Sequence, residues 1–434
     1  MNIESLLTDR TKLIDASGIR RVFEYGAKLK DKIDFSIGQP NFPVHDSVKQ
    51  AAMSAIAADQ NGYTITQGIQ PLREKLCSHL NQDLGWNVDP KAPNGDPNVP
   101  ALLVSPGTSA SLVLAFMALI GPGDEAIIPD PYFVLYPHLA NLVGGKAICC
   151  DTYPDFRMTA ERVEPLITPR TKLVILNSPG NPSGVVMNQR ECEDLLDLCR
   201  RKNIVLISDE IYDEFTFSNA RERIRETSQI PAVERASRPL SSEPHAQSSG
   251  SENATTRLTA RIGADKPICP SPARVKDSFY NTLVVRGFGK TYGVTGWRLG
   301  YAIGPARLIA EMTKLQQYTY VCAPHPLQVG AIAALDVDVS ANIAAYEANR
   351  DIVMARLGLL TELNMSGGAF YAFPRIPARL GLSGEAFFQK CVDRKLLIVP
   401  GNVFSRKDTH FRLSFAVSPE TLAKGLDVLA DIMA

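Results

Sequence analysis

Three short runs in the middle of the chain are apolar almost throughout and end at polar or turn residues: Ala126-Ile127-Ile128-Pro129, Lys172-Leu173-Val174-Ile175-Leu176 and Ile204-Val205-Leu206-Ile207-Ser208. A near-continuous apolar run of this length is the pattern of a strand buried on both faces. Between such runs the spacing changes to a helical period, as from Arg190 to Lys202. Strand–helix alternation of this kind predicts an α/β fold whose mostly parallel sheet lies between helices. Ligands in such sheets bind beyond the carboxyl ends of the strands, so the residues that close each run are the first candidates for chemistry. Further on, the amphipathic stretches Arg307 to Leu335 and Ala341 to Leu363 predict long helices. A last α/β portion begins near Gly367 and ends on a helix over Pro419 to Met433.

A chain of 434 residues exceeds what one hydrophobic core usually serves, so two domains are expected, which can interleave in sequence. One segment breaks the pattern. From about Ser218 to Lys276 the chain is rich in Ser, Arg, Glu and Pro with little hydrophobic periodicity, as expected of a disordered surface insertion.

Composition narrows the function classes. Hydrophobic residues at 45% and charged residues at 21% describe an ordinary globular enzyme. Lys plus Arg and Asp plus Glu are both 46, so no net charge draws the chain to nucleic acid or to an anionic membrane. The longest apolar run, around Leu112 to Ile120, is too short to cross a bilayer. The first residues lack the basic-then-apolar pattern of a secretory signal, which makes a cytoplasmic location the expectation. Eight cysteines without a C-x-x-C pair read as reduced thiols, and six histidines show no metal spacing, so no metal is expected. Without a secretory signal, the glycosylation-like Asn253-Ala254-Thr255 is a chance match.

The segment Arg286 to Gly300 carries the most chemistry. Lys290 follows the apolar run Thr282 to Val285 in a glycine-flanked turn, where desolvation would free an amine for covalent work. A phosphate-binding P-loop needs glycine where Val284 stands, and a dinucleotide fingerprint needs glycine where Tyr292 stands, so both fail. Taken alone, the segment reads as a glycine-rich turn with a snorkelling lysine. Ser105-Pro106-Gly107-Thr108-Ser109-Ala110 lies between an apolar run and a helix, a place where backbone N–H groups can meet an anion, and Arg298 can add a forked contact to it. Asp209 closes the run Ile204 to Ser208. A carboxylate there usually caps a turn, and the functional alternative is a partner for a protonated ring nitrogen. Tyr212 and Asn181 could reach a phenolic oxygen of the same ring.

Together these motifs resemble the class I/II aminotransferases, the fold-type I enzymes that use pyridoxal phosphate. Asn-Ser-Pro-x-Asn-Pro-Ser-Gly at 177–184, Ser-Asp-Glu-Ile-Tyr at 208–212 and Lys290 with Arg298 match that family in order. So do Gly38-Gln39-Pro40-Asn41-Phe42, Tyr63 with Gly68 and Leu72-Arg73, Pro400-Gly401-Asn402-Val403-Phe404, and Phe411-Arg412-Leu413-Ser414. The resemblance runs from about residue 17 to the end and is aspartate-aminotransferase-like.

It implies a large domain with a mostly parallel seven-stranded sheet over 38–305 and a smaller α/β domain over 306–434, joined by the amino-terminal arm, 1–37. Lys290 resembles the Schiff-base lysine for pyridoxal 5'-phosphate, Asp209 the partner of the pyridine nitrogen, and Tyr212 and Asn181 the contacts to the phenolic oxygen. Phe133 falls where an aromatic ring stacks on the cofactor. Gly107, Thr108, Ser109 and Arg298 resemble the phosphate cup. Tyr63 matches a tyrosine that reaches the neighbouring subunit's phosphate, which implies a homodimer. Arg412, with Gly38 and Asn181 beside it, matches the grip on the substrate α-carboxylate. The implied reaction moves an α-amino group to a 2-oxo acid, with 2-oxoglutarate the expected acceptor and an aspartate-type or a neutral or aromatic donor. A β-eliminating C–S lyase on the same fold is the alternative.

Two departures stand out. Gly287 occupies a position where the family often has serine, so the phosphate would lean on Arg298, Thr108 and Ser109. The stretch between Tyr212 and Lys290 is about twice as long as the resemblance implies.

Overall fold

The computed structural model describes residues 1–14, 18–90, 98–220 and 269–434. Strand β1 (Ile33–Asp34) opens a small sheet, and the next seven strands build a large one. These are β2 (Pro100–Ser105), β3 (Glu125–Asp130), β4 (Lys146–Asp151), β5 (Thr171–Asn177), β6 (Val205–Asp209), β7 (Thr282–Gly287) and β8 (Gly300–Pro305). Their order is β2-β8-β7-β6-β5-β3-β4, with β8 antiparallel to both neighbours and the other pairs parallel. The apolar runs read from the sequence are these strands, shifted by a residue or two.

Because side chains alternate along a strand, each run feeds two cores. Leu173 and Ile175 join Leu112, Phe116 and Met312 on one face, while Val174 and Leu176 join Leu195, Leu198 and Cys199 on the other. The helix Gln189–Lys202 on the second face starts at a capping box between Asn188 and Glu191. It ends with Arg200, Arg201 and Lys202 in its last turn and Asn203 in the left-handed region, so both orphaned ends are satisfied.

A second body contains β1 paired with β10 (Leu396–Leu397), and the sheet β11-β12-β9 formed by Val399–Pro400, Phe411–Ser414 and Tyr371–Ala372. Phe35, Phe370, Phe387, Phe411 and Leu426 fill its core. The helix Gly18–Lys28 packs here. Tyr25 lies edge-on to Phe388 at 5.6 Å, and Arg21 pairs with Glu385 at 2.6 Å.

Two sequence expectations need correction. The stretch Arg307 to Leu335 is two helices, Ala306–Thr319 and His325–Ala334, because Val321 turns left-handed (φ 67°) and Pro324 cannot continue a helix. The next helix, Ser340–Leu357, stops at Gly358, short of Leu363. Beyond residue 305, Leu308 and Met312 pack on the large sheet, and Ala331 joins a core that Val104 and Val284 supply.

The insertion expected over 218–276 lies mostly outside the described residues, as does Asn253-Ala254-Thr255. Its last part is packed. Cys269 is buried, Ser271 donates to Glu210 at 2.5 Å, and Arg274 pairs with Asp83 at 2.9 Å. Among the described residues there is no cluster of metal-ligating side chains, and no helix is long and apolar enough to cross a membrane.

Candidate active site

The parallel strands deliver their polar ends to one edge of the large sheet. Asn177 of β5 lies in register with Asp209 of β6, Asp209 with Val285 of β7, and Gly287 with Gly300 of β8. Beyond this edge lies a cavity of about 270 Å³. Gly38, Thr108, Ser109, Phe133 and Asn181 line it, as do Asp209, Tyr212, Lys290, Arg298 and Arg412.

Lys290 stands in the short helix Phe288–Thr291 immediately after β7, and its Nζ donates to the carbonyl of Gly38. Burial, with Arg412 and Arg298 adding repulsion, lowers its amine from 10.5 to about 8. No carboxylate forms an ion pair with it among the described residues. A substantial neutral fraction near pH 8 is what a nucleophilic or proton-abstracting amine requires.

Asp209 is buried at the end of β6, and desolvation pushes its carboxyl up to about 6. The hydroxyl of Tyr136 donates to one of its oxygens at 2.7 Å. Asn177 steadies the neighbourhood, donating to the Asp209 carbonyl at 3.1 Å and accepting from the Asn181 N–H at 2.8 Å. A cationic ring nitrogen placed against Asp209 would hold the carboxylate ionised.

Arg412, on β12, is 1% exposed yet has no carboxylate partner among the described residues. Its guanidinium lies between the rings of Tyr371 and Phe404, 4.5 and 4.6 Å from their centroids. Nη1 donates to Asn181 Oδ1 at 3.0 Å and Nη2 to the Ser36 carbonyl at 2.9 Å, while Nε is buried without a partner. A buried cation with an unused donor is built for an anion that the chain does not supply.

A second anion-binding corner forms where the helix Thr108–Leu119 begins. Gly107 precedes it with φ 88° and no side chain caps the first turn, which leaves the first N–H groups of the helix without a side-chain partner. Arg298, itself left-handed at φ 52°, lays its guanidinium over Gly107, where an added Cβ would stand 2.7 Å from Nη2. The Gly287 departure has a local reason. A Cβ at 287 would meet the Thr108 methyl at 2.9 Å, so Thr108 fills the space a serine would need.

Gly107 thus contributes backbone under Arg298 rather than cavity wall. Tyr63 is 88% exposed and does not line this cavity. Sequence reasoning missed Tyr371, Asn177, Ile211, Ile19 and Phe23 in the lining, and Tyr136 behind it. Tyr136 lies three residues after Phe133, and its N–H donates to the Phe133 carbonyl at 3.0 Å, a spacing that could have flagged it. Tyr371 sits in Gly368-Ala369-Phe370-Tyr371, where no sequence signal separates it from core.

The donor set fits pyridoxal phosphate: an amine of lowered basicity, a buried carboxylate, an anion corner and an aromatic wall share one cavity.

Comparisons with known proteins agree with this arrangement. Residues 30–429 match the family described as aminotransferase class I and II. The aspartate aminotransferase of Sulfolobus acidocaldarius is 29% identical, covering 94% of this chain and 91% of its own. The aromatic-amino-acid aminotransferase 2 of Thermococcus litoralis is 26% identical, with 98% of each chain covered. Among solved structures, the aspartate aminotransferase from Thermus thermophilus with maleate superposes at a TM-score of 0.81, with 27% identity and 98% and 99% of the two chains covered. A match over most of its length, and a shared fold at that identity, make this chain a member of the class I and II aminotransferase family.

Proposed function

We propose that this enzyme is a pyridoxal-phosphate-dependent aminotransferase that moves the α-amino group of an amino acid to a 2-oxo acid, with 2-oxoglutarate as acceptor and an aspartate-type or a neutral or aromatic amino acid as donor. The observation that carries the reading is the pairing, in one cavity, of a lysine lowered to about 8 with a buried, carboxylate-free Arg412. When bound, pyridoxal phosphate supplies an electron sink for the carbanion formed at the donor's α-carbon.

Lys290 would hold the cofactor's aldehyde carbon and, once the donor's amine has displaced it, would supply the neutral amine that moves the α-proton. Arg412 grips the donor carboxylate, and its contact with Asn181 leaves the asparagine amide nitrogen for a ligand. Asp209 keeps a ring nitrogen cationic. Arg298, Thr108 and Ser109 would hold the phosphate, and Phe133 would stack on the ring.

Exposed Tyr63 and Ile65, with apolar area left in solvent, support a homodimer in which Tyr63 reaches the partner's site. A cytoplasmic location accords with this reading. The helix Gly18–Lys28, which packs on the second body, places Ile19 and Phe23 over the cavity and suits closure on substrate.

The test follows the near-visible absorbance of cofactor-loaded protein while single amino acids are added without oxo acid. Loss of the band with stoichiometric oxo acid and no ammonia is expected. Release of ammonia and pyruvate with the band retained would make the chain a lyase.

A further inference from the structure

Tyr371 has no role in the reading above, yet it is among the best-placed polar groups of the cavity. It is 1% exposed, it lines the cavity, and its hydroxyl lies 2.9 Å from the hydroxyl of Tyr212. The backbone of Gly38 passes directly over it. A Cβ there would stand 2.9 Å from the Tyr371 oxygen, so only glycine leaves the hydroxyl its place. Arg412 lies against the face of the same ring, 4.5 Å from its centroid.

Two phenols in contact share one hydrogen bond, and its direction matters. If Tyr212 donates to Tyr371, its proton is spent and cannot serve a ligand. If Tyr371 donates to Tyr212, the Tyr212 proton turns toward the cavity. The guanidinium on the Tyr371 ring decides between the two. A cation there draws electron density from the phenol and makes Tyr371 the better donor. Among the described residues the cation over the Tyr212 ring is Lys290, whose Nζ lies farther off, 5.9 Å from its centroid.

We propose that Tyr371 is a positioning residue: held by Arg412, it donates to Tyr212 and thereby aims the Tyr212 hydroxyl at the ligand oxygen in the cavity. The same contact links the two halves of the site. A substrate carboxylate that neutralises Arg412 weakens the Tyr371 donation and so changes the donor that Tyr212 presents. The inference rests on the proposed cofactor and adds a residue that the family match alone does not assign.

The experiment titrates the near-visible absorbance of cofactor-loaded protein from pH 5 to 10 in wild type, Tyr371→Phe, Tyr212→Phe and the double variant. Phenylalanine keeps the ring under Arg412 and removes only the hydroxyl, and melting curves check that the fold is kept. A donor aimed at the ligand's phenolic oxygen stabilises its anionic form, so its loss raises the absorbance midpoint. Tyr371→Phe is expected to raise it by about half to one pH unit, the size of one neutral hydrogen bond. Tyr212→Phe is expected to raise it further, and the double variant to match Tyr212→Phe alone. A midpoint that Tyr371→Phe leaves in place, or shifts that add in the double variant, would overturn the proposal while the cofactor reading stands. A wild type with no near-visible band would overturn both.

Discussion

Two pairs of buried charges stand side by side at and just beyond the carboxyl ends of β6 and β7 and have opposite characters. Glu210 and Arg286 are matched. Glu210 accepts from Arg286 Nε and Nη2 at 2.9 and 2.8 Å, from Ser208 at 2.7 Å and from Ser271 at 2.5 Å. Arg286 also reaches Asp83 at 2.7 Å and Asp213 at 3.3 Å. Asp209, one residue before Glu210, receives one short hydrogen bond, from Tyr136, and a longer one of 3.4 Å from the Ile211 N–H. Lys290, four residues after Arg286, meets only a carbonyl among the described residues. The low dielectric is common to both pairs. What differs is whether the chain completes the charges itself. A completed cluster fixes the strand ends and the returning segment at Ser271 and Arg274. An uncompleted one leaves pKa values displaced toward the pH at which an enzyme works.

The largest expected effect lies on the unmatched side. Lys290→Ala should lower kcat by about 10⁴-fold or more, since it removes both the covalent anchor and the proton-moving amine. The melting temperature of the cofactor-free variant should stay level with cofactor-free wild type or rise, because a buried amine of lowered basicity does not stabilise the fold. A melting point that falls with activity would place Lys290 among the structural charges and break the comparison. On the matched side, Arg286→Met should cost about 3–5 kcal/mol in chemical denaturation, the scale for stranding a buried carboxylate. Adding Glu210→Met should recover much of that loss. A single-variant cost below about 1 kcal/mol would show that the cluster is not what holds this edge of the sheet.

The comparison also explains what the sequence made legible. Strands buried on both faces leave an unmistakable apolar run, and the residues that end them inherit a predictable place, so Asp209, Asn181 and Lys290 could be singled out before any coordinates. Partners that arrive from far along the chain leave no such trace. Tyr371 reaches Tyr212 from 159 positions away, and the Arg412–Asn181 contact spans 231. The helix break at Val321 and Pro324 was written in a proline, but a long amphipathic period concealed it. The packed segment Cys269–Lys276 looked like the end of an insertion because its polar residues are spent on Glu210, Asp83 and Gln189 rather than on solvent.

The smallest effect is a pH dependence, and it tests whether Asp209 belongs with the unmatched charges. Its ordinary value is 3.8 and burial raises it to about 6, so between these pH values the folded, cofactor-free protein binds more protons at this site than the unfolded chain. Stability from this group is therefore fully present below about pH 4 and is lost as pH rises through about 6. The gap between 3.8 and about 6 corresponds to about 3 kcal/mol. Denaturation of cofactor-free wild type and Asp209→Asn across that window should show the difference, with a shallower fall in the variant, since burial also raises Asp213, to about 7, in both. Glu210→Gln should not remove it, because Arg286 already compensates that carboxylate. Loading the cofactor should remove Asp209's share of the fall from wild type as well, since a ring cation then completes Asp209 as Arg286 completes Glu210. A wild-type slope that Asp209→Asn leaves unchanged would mean that Tyr136 and the Ile211 N–H already satisfy the carboxylate. The boundary between scaffold and site would then run through Lys290 and Arg412 alone.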